Sequence, residues 1–151
     1  MVDAWQILAG ITDPEIPVVS ITELGIVREV TQTAGAVEVA ITPTYSGCPA
    51  IHVIEEEIVE RLKQAGWAEV SVKTVLAPAW STDWIAPAAR GKLRNFGIAP
   101  PGRVNLFPRS VECPRCASAR TERVSEFGST ACKAHYRCLE CLEPFDFFKP
   151  L

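Results

Sequence analysis

The sequence predicts an α+β domain followed by a small metal-binding ribbon. Helical and strand-like hydrophobic periods alternate over the first hundred residues. Five of the six cysteines lie after residue 112, so the end of the chain is built differently from its beginning. Consecutive prolines at Pro100 and Pro101 favour extended chain between the two parts. We therefore predict a domain at 1–102, a linker at 103–110 and a ribbon at 111–151.

The first domain is expected to run helix, strand, strand, helix, strand, helix. Asp3 and Gln6 have the spacing of a capping box ahead of a short first helix. Pro49 suits the first position of the second helix, and Gly66 suits its C-terminal cap. Apolar residues recur at helical spacing between them, with glutamates on the other side. These segments predict helices packed on one three-stranded sheet; they are 3–10, 26–31, 36–41, 49–66, 70–75 and 81–97, the last interrupted at Pro87.

Two C-x-x-C turns, 21 residues apart, predict a metal site in the ribbon. Two residues between cysteines let both sulfurs face one ion, and four thiolates at tetrahedral geometry suit structural zinc. The alternatives are an iron–sulfur cluster, a disulfide pair and idle core cysteines. Cys132 and His135 could each replace a ligand, but packing or surface roles are favoured. The predicted metal ligands are Cys113, Cys116, Cys138 and Cys141, among strands at 121–127, 133–137 and 145–148.

Cys48 is the candidate functional residue of the first domain. It stands at the entry to the second helix, where unpaired N–H groups and the helix dipole stabilise a thiolate. We therefore expect a low-pKa thiol that binds iron or attacks an electrophile. The alternative is a small, buried and inert side chain. Gly47 allows close backbone approach, which favours the functional interpretation.

Other titratable groups near Cys48 give weaker signals. His52 lies one turn into the same helix and could act as a base, but its helical phase favours a solvated histidine, so hydrolytic catalysis is weakly supported. Asp13, Glu15 and Glu23 lie in or beside a segment stiffened by prolines. They are either loop caps and solvated charges or metal ligands.

Charge and hydropathy exclude several classes of protein. The formal net charge is −3, and the ribbon carries six basic and six acidic residues, so a nucleic-acid role is disfavoured. Every apolar run is interrupted before the roughly 18 residues that a membrane span needs. The first residues lack a basic n-region and an apolar core, so we expect a cytoplasmic protein with reduced thiols.

Three segments resemble the SufT-like domain that iron–sulfur assembly factors share: Asp13 to Pro17, Ser20 to Val27 and Thr42 to Ala50. Together with the ribbon and the segment from Phe127 to Ala134, they make the chain similar to the PaaD family. That family belongs to phenylacetate degradation and is linked to the multicomponent phenylacetyl-CoA epoxidase. The resemblance covers nearly the whole chain.

The resemblance implies a role and a set of site residues. Cys48 corresponds to the family's single reactive cysteine, with Asp13, Glu15, Glu23 and Thr44 as its neighbours, and the four ribbon cysteines correspond to the metal ligands. Many zinc ribbons place glycine after each cysteine pair, where this chain has Ala117 and Leu142.

The implied function is that of an accessory maturation factor rather than an enzyme. Such a factor helps to insert an iron–sulfur or iron centre into the epoxidase or its reductase, with iron or a cluster held transiently across a homodimer. The alternative is a non-catalytic structural subunit of the monooxygenase complex.

Overall fold

The computed structural model describes residues 2–45, 47–101 and 110–150, which form two compact units. The first unit ends at Trp80 and the second begins at Ser81. The helices are α1 (Ala4–Leu8), α2 (Ala50–Gln64) and α3 (Pro87–Asn95). The strands are β1 (Val27–Thr33), β2 (Ala36–Ile41), β3 (Glu69–Thr74), β4 (Ile98–Ala99), β5 (Thr121–Ser125), β6 (Lys133–Cys138) and β7 (Pro144–Phe148).

The first unit is built on the three-stranded sheet β1-β2-β3. β1 and β2 form an antiparallel hairpin, and the turn is closed by Gly35 at φ 81°. β2 and β3 are parallel, so a crossover must join them, and α2 is that crossover. α2 packs against β3, while α1 contacts both β1 and α2.

The core of the first unit lies between α2 and one face of the sheet. Every second residue of β2 is buried, and every third or fourth residue of α2 is buried, as the two periods require. The loop from Ile11 to Ile26 adds apolar side chains to this core, and it carries Asp13 and Glu23. The fully buried large side chains are Leu8, Ile11, Val19, Ile21, Leu24, Val39, Ile41, Ile54, Ile58 and Leu62.

The predicted α+β class and element order are confirmed, with differences at element ends. Asp3 caps α1 with its side chain, whose Oδ1 accepts from the Trp5 N–H at 3.3 Å and from the side-chain amide of Gln32 at 2.7 Å. Pro49 is the residue before α2, not its first residue. The predicted last helix is a 3₁₀ turn at Thr82–Trp84 and then α3, which begins at Pro87 because proline cannot continue a helix but suits its first turn.

The second unit contains the four-stranded sheet β4-β7-β6-β5. The three predicted ribbon strands are present as β5, β6 and β7. The fourth strand, β4, pairs in parallel with β7 through Ile98 and Ala99, which are 4% and 2% exposed. The predicted boundary assigns these two residues to the first domain, whereas in the structure they complete the ribbon sheet.

The structure groups residues 81–101 with the ribbon, whereas the predicted first domain extends to 102. Most of the predicted linker lies outside the described residues. No helix within the described ranges has both the length and the apolar character that crossing a bilayer requires.

Candidate metal centre and candidate functional cysteine

The four ribbon cysteines converge on one point. All four sulfur atoms lie within 4.8 Å of one another. The Sγ atoms of Cys113 and Cys141 are 3.8 Å apart, and those of Cys116 and Cys138 are 3.6 Å apart. Four sulfurs placed tetrahedrally at the usual zinc–sulfur distance are separated by about 3.8 Å. The donor set therefore fits a single zinc ion.

The same distances weigh against the alternatives. A disulfide bond would bring two sulfurs to about 2.05 Å, and all six cysteines are free. A cluster of two or four irons binds its thiolates to different metal atoms, so it spaces them more widely than one ion does. Cys132 lies outside the set and contacts the Thr130 hydroxyl at 3.0 Å. His135 instead faces Asp146 at 3.5 Å.

Backbone N–H groups prepare the sulfurs to bind a cation. The N–H of Arg115 donates to Cys113 Sγ and that of Glu140 donates to Cys138 Sγ, each at 3.4 Å. At Cys138, desolvation raises the pKa, but hydrogen bonds from the N–H groups of Cys141 and Glu140 and from the thiols of Cys116 and Cys141 together lower the pKa to about 7. A thiol with that pKa is readily deprotonated when a metal binds.

The turn after each cysteine pair forms without glycine. Ala117 has φ 63° and Leu142 has φ 64°, so both adopt the left-handed conformation that glycine usually supplies. The Ala117 N–H donates to the Cys113 carbonyl at 2.9 Å and closes the first turn. The sulfur-accepting turns are therefore present in this ribbon at a cost in backbone strain.

Cys48 lies at the N-terminal end of α2, as predicted. Cys48 is 9% exposed, and its carbonyl accepts a hydrogen bond from the Ile51 N–H at 3.3 Å. The sulfur accepts a hydrogen bond from the Ala50 N–H and another from the Thr44 side chain. The thiol therefore lies beside the first N–H group of α2, while Pro49 is the residue that precedes the helix.

Cys48 has a raised pKa, contrary to the expected thiolate. Burial raises the pKa of the thiol most, and the negative charges of Glu15 and Asp13 raise it further. The hydrogen bonds from Ala50 and Thr44 lower the pKa but do not compensate. The expectation of a low pKa is therefore wrong for this structure, because burial and two carboxylates outweigh the helix terminus.

Asp13 is held rigidly by its own loop. The residue is 7% exposed, and its Oδ1 accepts from the N–H groups of Glu15 at 2.8 Å and Ile16 at 3.0 Å. Its own N–H donates to the Val19 carbonyl at 2.9 Å. This loop brings the two carboxylates of the Asp-Pro-Glu segment near Cys48, which the sequence alone did not show.

Glu23 forms two hydrogen bonds with Ser20. Its Oε2 accepts from the Ser20 N–H at 2.9 Å, and Ser20 Oγ accepts from the Glu23 N–H at 3.1 Å. This reciprocal pair is a capping box that fixes the turn before β1. The structure therefore places the charges of Asp13 and Glu15 within electrostatic range of Cys48, with the Thr44 side chain as a hydrogen-bond donor, and gives Glu23 a structural contact. Among the described residues, the four ribbon cysteines are the one group of three or more possible ligands whose atoms converge on a point.

The sequence suggested two further roles near Cys48: a base at His52 and close backbone approach at Gly47. The His52 side chain is 81% exposed and faces Glu55 at 3.5 Å, as expected for a solvated histidine. Gly47 has φ 82°, and a Cβ placed there would meet no atom within 4 Å. Gly47 is therefore needed for its backbone conformation, and its role in close backbone approach stays a prediction.

One polar group near this site was not singled out from the sequence. Thr42 begins the loop that leads to Cys48, and its Oγ1 is buried without a hydrogen-bond partner among the described residues. Leaving such a group unsatisfied costs about 1–3 kcal/mol. Only burial, which the sequence pattern does not reveal at a strand end, distinguishes it from Thr44.

The basic residues that could contact nucleic acid are partly engaged within the second unit. Arg90 donates to the carbonyls of Thr82, at 3.1 Å, and Pro101. Arg94 donates to Glu112 Oε1 at 3.3 Å. Arg103 and Arg109, the next basic residues along the chain, lie outside the described residues.

Comparison with known proteins defines the class of this chain. Residues 2–74 match a family model described as iron-sulfur cluster assembly protein. Residues 100–149 match a family model described as PaaD zinc beta ribbon domain. The two matches correspond to the two parts found above: an α+β unit of the iron–sulfur assembly type and a zinc ribbon.

Individual relatives sharpen this assignment. The chain is 51% identical, over 97% of its length and 91% of the relative's, to an Escherichia coli K12 protein named as a putative subunit of 1,2-phenylacetyl-CoA epoxidase. A DUF59 domain of unknown function from Bacillus anthracis shares 28% identity at TM-score 0.54, covering 58% of this chain and 84% of that one. A conserved hypothetical protein from Thermotoga maritima shares 26% at TM-score 0.52, covering 60% and 90%. The chain belongs to the PaaD family.

Proposed function

We propose that this chain is an accessory maturation factor of the phenylacetyl-CoA epoxidase system. Cys48 receives iron or an iron–sulfur unit and passes it to a subunit of the epoxidase or of its reductase. The name of the 51% identical relative supports the choice of system. The description of the family model over residues 2–74 supports a role in iron–sulfur assembly.

The observation that carries this proposal is the electrostatic environment of Cys48. Burial raises the pKa of the thiol most, and the negative charges of Glu15 and Asp13 raise it further, so the thiol keeps its proton in preference to becoming an anion. The same two charges favour any cation that replaces that proton. Thiolate sulfur and carboxylate oxygen both bind iron. The buried Thr42 hydroxyl is one further polar group in the loop that leads to Cys48.

The set formed by Cys48, Asp13 and Glu15 is suited to transferring iron rather than to storing it. One thiolate with two carboxylates does not fill the coordination shell of a cluster, so a second copy of the chain or the client supplies the remaining ligands. In this proposal Thr44 positions the sulfur, and Glu23 holds the adjoining loop in place. A site that is completed only by its partner releases its cargo when that partner offers better ligands.

The ribbon and the chain as a whole also have defined roles in this proposal. The zinc ribbon is a rigid docking module for the client, and neither half of the chain carries a catalytic step. The protein works in the cytoplasm, forms a homodimer and binds neither nucleic acid nor membranes. The engaged arginines of the second unit support the exclusion of nucleic acid.

The test is a Cys48→Ser variant expressed in place of the natural chain. We expect the protein to fold, because serine has nearly the same shape, while the epoxidase loses iron and activity. Iron per epoxidase, measured on the purified enzyme, is the readout. The matched control is Cys132→Ser, which changes another buried thiol and should leave the iron content normal. Normal iron in the Cys48 variant would refute the proposal.

A structural component of the epoxidase complex is the second candidate, and the naming of the relative as an epoxidase subunit is the observation that favours it. A structural component remains in the working enzyme, whereas a maturation factor leaves it. Active epoxidase reconstituted from separately matured components distinguishes the two. If activity requires stoichiometric amounts of this chain, the structural role is correct.

A further inference from the structure

The outer edge of β3 is an unpaired sheet edge. In its sheet β3 is hydrogen-bonded to β2 alone. The N–H groups of Glu69 and Val75 donate toward β2, at 3.0 and 2.8 Å. Because backbone groups alternate in direction along a strand, the N–H and C=O groups of Val70 and Val72 point away from β2. Within the described part of the chain these groups have no strand to pair with.

A shallow groove runs along this edge between β3 and α2. Its volume is about 460 Å³, and its apolar floor is formed by Val59 of α2 and Val72 of β3, both half-buried. α2 is tied to β3 beside the groove by a hydrogen bond of 2.7 Å from Thr74 Oγ1 to Glu55 Oε1. A strand added to β3 would therefore place every second side chain in this groove.

The rim of the groove is acidic, and that decides what can bind. Glu55, Glu56 and Glu60 line it together with the two valines. A second copy of this chain, paired through its own β3 around a twofold axis, would bring the same glutamates against these, and like charges at close range repel. Lysine or arginine side chains would neutralise the rim and lay their aliphatic stems over the valines.

We propose that the β3 edge is a docking site for an extended, basic segment of a partner protein, which adds to the sheet as a fourth strand. Its groove-facing positions alternate along the segment: an apolar residue lies over Val59 and Val72, flanked by lysine or arginine at positions two before and two after. Main-chain hydrogen bonds to Val70 and Val72 give the binding energy, and the glutamates select for charge. The site does not depend on metal at Cys48, so it stands or falls separately from the maturation role.

The test uses the zinc-loaded, isotope-labelled full chain and the peptide Thr-Lys-Thr-Val-Thr-Lys-Thr. Amide spectra and amide exchange are recorded during titration. We expect saturable shifts along β3 and slower exchange at the N–H groups of Val70 and Val72. A Glu56→Lys/Glu60→Lys double variant should bind about tenfold more weakly or worse. The matched control, Glu29→Lys/Glu38→Lys, changes two exposed glutamates elsewhere in the first unit and should retain the affinity.

Two control peptides separate strand addition from simple charge attraction. The first replaces both lysines by glutamate, and the second carries N-methyl groups on the amides flanking valine. Neither should bind, because one lacks the charge and the other lacks the backbone donors. Equal binding of the methylated peptide, or binding that leaves Val70 and Val72 unprotected, would show a merely acidic surface and overturn the proposal. Absence of saturable binding, or protection that rises with protein concentration alone, would overturn it as well.

Discussion

The Sγ atom of Cys116 lies 3.6 Å from that of Cys138, although the two residues are 22 positions apart in the chain. Only the folded ribbon holds them together, since the turn of one cysteine pair and the strand β6 must both be formed first. The same ribbon core contains Cys113, which is 1% exposed and packs with Val111 and Phe145. Metal binding and folding of the second unit are therefore coupled.

Cys113→Ser should release the zinc and unfold the ribbon. Zinc binding in small metal domains is worth roughly 10–16 kcal/mol, far more than so small a core supplies. We expect the variant to lose its zinc, measured by elemental analysis, and to be cleaved rapidly after residue 110 in limited proteolysis. Cys132→Ser is the control and should keep both properties. A zinc-free variant that resists protease would contradict the coupling.

The reaction of Cys48 with iodoacetamide should report its raised pKa. The pKa of the thiol is raised above its ordinary value by burial and by the charges of Glu15 and Asp13, so the half-maximal alkylation rate should fall at a pH above that of an ordinary thiol. Asp13→Asn and Glu15→Gln should each move the profile to lower pH, since each removes one negative charge. Mass spectrometry of the Cys48 peptide, from zinc-loaded protein, gives the rates. A half-maximal rate at a pH below the ordinary thiol value in the natural chain would contradict the structure.

Asp13→Ala should destabilise the first unit more than Asp13→Asn. Alanine leaves the buried N–H groups of Glu15 and Ile16 without their acceptor, at a cost of about 1–3 kcal/mol. Asparagine keeps an oxygen at that position and loses only the charge. Urea unfolding of the two variants measures the difference. Equal losses would mean that the charge, rather than the loop hydrogen bonds, stabilises this segment.

Ala117→Gly should stabilise the zinc-loaded ribbon. Ala117 holds a strained left-handed backbone at φ 63°, and glycine removes that strain at some cost in unfolded-state entropy. The expected net gain is up to about 1 kcal/mol in the free energy of unfolding. Ala119→Gly is the matched control: Ala119 has no positive φ, so the substitution should destabilise. Chemical denaturation at fixed free zinc compares the two, and a loss at both positions would argue against stored strain.

Most of the fold was predictable because its signals are local. The helical spacing from Ile51 onward and the alternation in β2 each repeat often enough to identify an element. The convergence of the four ribbon cysteines was predictable for the same reason, since both C-x-x-C turns are complete in the sequence. β4 was not predictable: Ile98 and Ala99 are two residues before a proline pair, and only pairing with β7 makes them a strand.

The position of Cys48 was predictable from local sequence, but its pKa was not. Its position at the start of α2 follows from local sequence. Its pKa depends on how deeply the loop buries it and on carboxylates more than thirty residues earlier, which are tertiary facts. Local sequence shows the helix terminus but not the desolvation that opposes it, since desolvation has no signature in one segment of sequence.

The pairing of β4 with β7 bears on how the ribbon can be produced by itself. A fragment cut at residue 103, where the proline-rich stretch invites a boundary, would lack Ile98 and Ala99. It would leave one side of β7 as a bare edge next to Phe147, which is the kind of surface that promotes aggregation. A fragment beginning at Ser81 keeps the strand, so it is the one expected to remain monodisperse.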